Sequence, residues 1–134
     1  MQMKPALGLA DANRILEAAR AEAERNGWAV AIAVVDDGGH PIALARLDGT
    51  APVSSYMAME KARTSALGRR ESRLYEEMIN GGRTAFLSAP LVATLEGGVP
   101  VIIEGQVAGA VGVSGVKSDQ DAQIAKAGIQ SIVA

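Results

Sequence analysis

The sequence predicts an α+β fold, with a central antiparallel sheet of about five strands flanked by helices, and three observations carry that prediction. Two pairs of apolar runs, each pair split by residues suited to tight turns, read as β-hairpins: residues 28–35 with 41–47, and residues 99–103 with 107–113. Helix-periodic segments lie before, between and after these hairpins, an order that does not fit a doubly wound parallel sheet. No repeat or low-complexity linker interrupts the 134 residues, enough for one domain with a core of its own.

Leu9, Ala12, Ile15, Leu16, Ala19 and Ala23 recur at helical spacing with Glu17, Arg20, Glu22 and Glu24 largely opposite, which predicts an amphipathic helix over residues 9–25. Gly8 takes its N-cap position, Asp11 answers the positive end of the dipole, and Asn26-Gly27 stops it. In the first hairpin Asp36-Asp37-Gly38-Gly39 supplies the turn, and Pro41, which has no N–H, belongs at the start of the returning strand or on an edge. A second helix begins at Thr50 or Ala51, carries Pro52 in its first turn, runs to Leu67 and ends at Gly68. Its stripe of Val53, Met57, Thr64 and Leu67 includes Lys61, where an ammonium is unexpected. Either Glu60 neutralises it while its stem covers apolar surface, or the lysine faces a ligand.

Residues 69–79 read as a short charged helix with Leu74, Met78 and Tyr75 inward, ended by Asn80-Gly81-Gly82. Residues 84–87 read as a short strand, and residues 90–95 stay open between strand and turn. The second hairpin is almost continuously apolar, so it is expected to lie centrally with both faces covered; Gly109 and Gly112 inside it serve close packing. Ser118 caps a last helix, with Asp119 and Asp121 in its first turn and Ala122, Ile124, Ala125, Ile129, Ile132 and Val133 on its apolar side.

Composition narrows the function. A net charge of −2 with scattered basic residues offers no stripe for nucleic acid. The absence of cysteine removes disulfides, thiolate metal sites and a cysteine nucleophile. No run approaches the ~18 apolar residues of a membrane span, and the first residues hold no apolar core of an export signal, so a cytoplasmic protein is expected. The aromatic set is Trp28, Tyr56, Tyr75 and Phe86, whereas alanine, valine and glycine abound, so elements or subunits can approach closely. No Ser-His-Asp order, P-loop or dinucleotide fingerprint occurs; the glycines of GQVAGAVG lie inside a strand, not at a helix start.

Several residues can carry chemistry. Gly97-Gly98, after Glu96, is either a plain turn or a nest of N–H groups for an anion. If Lys61, Arg46 and these amides converge, they suit a small anion such as a hydroxy acid or keto acid, with Thr64 and Ser114 as hydrogen-bond donors. Glu60 or Glu96, raised in pKa by burial, would then act as a general base beside Lys61. Arg46 and Asp48 straddle the end of a strand, as a loop-setting pair or as ligand groups. His40, the sole histidine, is either a locally bonded turn residue or a haem or metal ligand, with Tyr56, Tyr75 and Met57 as other axial candidates. So few aromatics disfavour a deep haem pocket within one subunit and leave haem between subunits.

Five stretches, VVDDGGHPIALARLDG (34–49), MEKARTSALGRRE (59–71), NGGRTAF (80–86), LEGGVPVIIEGQVAGAVGVSG (95–115) and SDQDAQIAKAG (118–128), together resemble the GlcG/HbpS family, also found as the C-terminal domain of PduO-type proteins. The resemblance follows the family order over nearly the whole chain, GGH included, and is nearest to the branch encoded in glycolate-utilisation loci. It implies a profilin-like α/β sandwich assembled into homo-oligomers such as dimers, tetramers or octamers, with haem bound in some relatives. It also implies the cytoplasmic branch, since other members are secreted. The function expected from it is a small-ligand-binding or haem-binding accessory protein associated with glycolate utilisation. Two alternatives stand beside that: a cofactor-independent lyase or isomerase of a small carboxylate using Lys61 with Glu60 or Glu96, and a structural subunit of a glycolate-oxidising assembly.

Overall fold

The computed structural model describes residues 1–133, and within them there are four helices and one open, four-stranded antiparallel sheet, on which the first, second and fourth helices pack. In chain order the elements are α1 (Leu9–Arg25), β1 (Ala31–Asp36), β2 (Pro41–Arg46), α2 (Val53–Gly68), α3 (Arg73–Asn80), β3 (Gly98–Ile103), β4 (Gln106–Ser114) and α4 (Ser118–Gln130). The strand order is β2-β1-β4-β3.

Several expectations change. The sheet has four strands, not about five, because residues Thr84–Ser88 coil into a 3-10 turn, in which Phe86 N–H donates to Arg83 and Ala89 N–H to Phe86, each at 3.1 Å. Nearly every side chain of that segment is exposed; only Phe86 is half-buried, 5.7 Å from the Tyr75 ring and under the Arg83 guanidinium, so no alternating face draws it to a sheet edge. Residues 90–95 contain no strand. Only half of the second hairpin is central: β4 lies between β1 and β3, whereas β3 forms an edge, where Pro100 needs no ladder donor and Ile102 is exposed. The third helix starts at Arg73, not Arg69, because Arg69 is left-handed (φ 57°) and ends α2, while Ser72 N–H donates to Gly98 O at 3.0 Å. The last helix has Lys117 as its N-cap and Ser118 as its first residue.

Alternation along the strands gives the sheet two different faces. Ile32, Val34, Val99, Val101, Val111 and Val113 point to α1 and α4, whose Ala12, Ile15, Ala19, Ile124, Ala125 and Ile129 complete an aliphatic core. Ala31, Ala33, Val35 and Ala110 point to α2 and meet Ala58, Ala62 and Ala66. Here α2 rests on the backbone itself: a Cβ on Gly112 would lie 2.5 Å from Ala62 N and closer still to Ala58 O, and one on Gly98 would overlap Lys61 O. Gly109 likewise admits Leu7 and Val35 O, so the strand glycines serve close packing. No helix among the described residues is long and apolar enough to cross a membrane.

Candidate functional site

Side chains that face each other across a ladder share a face, so Leu44 and Arg46, paired with Ala33 and Ala31, lie on the α2 side of the edge strand β2. Pro52, Tyr56, Met59, Glu60 and Arg63 recur at helical spacing along α2. Between these rows runs an open groove of about 590 Å³. Leu44, Pro52, Tyr56 and Met59 give it an apolar wall, and Arg46 and Arg63 supply cations. Arg63 Nη1 donates to Glu60 Oε1 at 2.5 Å and its Nε to Gly39 O at 3.4 Å. Glu60 Oε2 is buried with no hydrogen-bond partner. Arg46 makes no ion pair among the described residues; with Asp48, Trp28 and Leu47 it also lines a neighbouring cleft of about 550 Å³, so Arg46 forms the ridge between two depressions.

Lys61 lies elsewhere, past the ladder Arg46–Ala31–Ser114 and therefore two strands away from Arg46. Only 3% exposed, it runs over Gly97 and around the end of the sheet. Its Nζ donates to Val113 O and to Asp121 Oδ2 on α4, both at 3.1 Å. Glu60 is thus not its partner. Asp121 Oδ1 accepts Val116 N–H at 3.2 Å. Burial holds the Asp121 carboxyl above the usual range, and the Lys61 charge opposes that rise. The glycines beside it have steric work: a Cβ on Gly97 would lie 2.9 Å from Lys61 Nζ and 2.7 Å from Val113 O. Gly98 N–H is engaged by Ser72 Oγ at 2.9 Å.

The structure therefore brings Lys61, Gly97 and Gly98 together in a closed place and Arg46 and Glu60 together in an open one. Ser114 is buried next to Val113, and Thr64 is buried with its hydroxyl unpartnered. Glu96 donates its N–H to Glu76 Oε1 at 2.9 Å. His40 is exposed, its backbone tied to Asp36 through both N–H and C=O at 2.9 Å. Among the described residues no cluster of three or more His, Asp or Glu could hold a metal ion. Tyr75 is buried under Gly68, Met57 is half-buried, and Tyr56, 76% exposed, is the tyrosine that reaches the groove. Arg63, Met59 and Asp121 escaped sequence reasoning. The Glu60–Arg63 spacing of three was a readable signal for one of them.

Comparison with known proteins agrees with this architecture. Residues 7–130 match the family model of haem degrading protein HbpS-like. The chain is 58% identical to protein GlcG of Escherichia coli K12 over 114 residues, 85% of each chain. It superposes on the crystal structure of Klebsiella pneumoniae protein ORFY with a TM-score of 0.92 at 28% identity, covering 100% of this chain and 95% of that one. It superposes on a PduOC–haem complex with a TM-score of 0.84 at 27% identity, covering 95% of both. With a matching family model over almost its full length and a sheet whose order and helices superpose on these relatives, the chain belongs to the HbpS-like family.

Proposed function

We propose that this protein is a ligand-binding accessory protein of glycolate utilisation, and that its ligand, haem or another amphipathic anion, lies in the groove between β2 and α2. One observation supports the placement above others: an apolar wall of Leu44, Pro52, Tyr56 and Met59 meets two guanidinium groups on an open face of the molecule. The donor set suits haem. Tyr56 oxygen or Met59 sulfur would hold the iron, and Arg46 and Arg63 would take the propionates. Haem so held supplies an iron centre with redox chemistry that no side chain of this chain provides. The groove covers one face of a flat ligand, so a second copy covering the other face is part of this reading and makes the working unit a homo-oligomer.

Titration of the purified protein with haemin, followed at the Soret band, tests it. The wild type gives a saturable shift, and Arg46→Met and Tyr56→Ala each weaken it about tenfold. Absence of a saturable shift sinks the haem reading. Loss of binding in His40→Ala with both groove variants unaffected moves the ligand to the β1–β2 turn.

A second reading, proton transfer on a small carboxylate, is favoured by one feature: the unpartnered Glu60 Oε2 beside Arg46 in the same groove. It requires exchange of the α-hydrogen of glycolate or a related acid with deuterated solvent, abolished in Glu60→Gln. No exchange in the wild type removes it.

A further inference from the structure

We infer that Gly39 is a positioning residue for the groove: the β1–β2 turn is the seat of the Arg63 guanidinium, so the Gly-Gly-His motif serves the site through Arg63. The inference rests on the groove reading above for its function, and on geometry alone for the seat.

The turn is rigid. Asp36 Oδ1 accepts the N–H groups of Gly38 and His40, each at 2.9 Å, and Gly39 N–H donates to Asp36 O at 3.1 Å. Arg69, at the end of α2, donates to Asp37 O, and Lys4 pairs with the Asp37 carboxylate, so the turn is tied to its surroundings from two sides. Gly39 itself is buried and left-handed, φ +81°. A Cβ there would lie 2.8 Å from Arg63 Cγ and 3.6 Å from Cβ and Cδ, so the stem of Arg63 lies directly across the glycine. Its Nε donates to Gly39 O and its Nη1 to Glu60. Arg63 is thus held by stem, by Nε and by Nη1, and only its remaining donors point to a ligand. Arg46 on the opposite rim has no such support among the described residues, and reaches a ligand only by losing rotamer freedom. The His40 ring contributes nothing to this seat, because it lies outside against Gly38 and is exposed.

Two readouts test the seat. Nitrogen-15 NMR of the Arg63 Nε–Hε group, assigned by its loss in Arg63→Lys, shows a dispersed, slowly exchanging signal in the wild type and in His40→Ala. In Gly39→Ala it collapses to the position of mobile arginines. An unchanged Arg63 signal in Gly39→Ala overturns the inference whether or not any ligand binds. In haemin titrations Gly39→Ala weakens binding about tenfold in the wild-type background and has no further effect in Arg63→Met. Equal losses in both backgrounds show a merely structural role and also overturn it. Absence of haemin binding in every form defeats the functional reading only, and the NMR readout still decides. Should Gly39→Ala not fold, Arg63→Lys keeps the charge but lacks the Nε–H that reaches Gly39; haemin affinity then falls about tenfold, and unchanged affinity refutes the seat.

Discussion

The two faces of the sheet are held in opposite ways. Toward α1 and α4 the contact is made by branched side chains such as Ile15, Ile32, Ile124 and Val113 filling a common volume. Toward α2 there is scarcely a side chain in between: Ala58 and Ala62 meet Gly112 main chain to main chain. An aliphatic layer can relax when one methyl is lost, whereas a backbone contact has nothing to move when one is added. The second kind of face fixes where α2 stands, and therefore how far Tyr56 and Arg63 on its outer side stand from Leu44 and Arg46 on β2.

Four substitutions break or sharpen this contrast, and urea denaturation reads them all. The largest effect is expected where the two faces are joined. Lys61→Met leaves the buried Asp121 carboxyl without its counter-charge and should lower stability by about 4 kcal/mol, with much of that recovered in the double variant carrying Asp121→Asn. Recovery of none of it would mean that the pair is not a unit. Next comes Gly112→Ala, which places a methyl group on the Ala58–Ala62 backbone and should cost about 3 kcal/mol. On the aliphatic face Ile32→Val removes one methyl from the same sheet and should cost about 1 kcal/mol; a cost equal to that of Gly112→Ala would erase the distinction between the faces. Smallest is Lys126→Ala, which breaks a pair between this exposed lysine and the half-buried Glu71 at 3.4 Å and should change stability by less than about 0.5 kcal/mol.

Acidity adds a fifth test of the link between layers. Asp121 is faced by Lys61 from α2, by Val116 N–H from the loop before α4, and by Asp119 on its own helix. Because burial raises its folded-state pKa above the ordinary 3.8, the folded protein takes up this proton before the unfolded chain does as pH falls. The contribution of Asp121 therefore grows on acidification through the folded value, is complete below 3.8, and declines again as pH rises. Relative to Asp121→Asn, the wild type should gain stability between pH 7 and pH 4; a loss over that window would reverse the sign of the shift.

Much of this fold is legible in the sequence. Helix α1 announced itself because every third or fourth residue is apolar, and both hairpins because their turns are made of residues that tolerate turn dihedrals. Residues 84–87 were expected as a strand because their local composition suits one, but they coil into a 3-10 turn that packs on α3 and takes no part in the sheet. In the candidate site the sequence expects Arg46 to pair with Asp48 or bind a ligand, Glu60 to neutralise Lys61 or act as a base, and Lys61, Arg46 and Gly97-Gly98 to converge; Lys61 does meet Gly97-Gly98, but Arg46 stands apart with Glu60 in the groove. The partner of Lys61 was not readable, since Asp121 is sixty positions away and is delivered only by the crossing of α4 behind the sheet. Arg63 was hidden for a different reason: what holds it is a missing side chain on another element, and a pattern of residues does not display an empty space.

The seat of α2 also constrains how such a chain can drift over generations. At positions 98 and 112 any replacement enlarges the residue against main-chain atoms that cannot yield, and at 58 and 62 any replacement but glycine crowds a tightly packed cluster of alanines. The aliphatic side has room to trade one residue against another and return to the same volume. The alanine-and-glycine side has no such exchanges open to it, so change accumulates instead on the outward surface of the same helix, where Tyr56, Met59 and Arg63 stand. A lineage can thus alter what this groove prefers while the helix that carries it does not move.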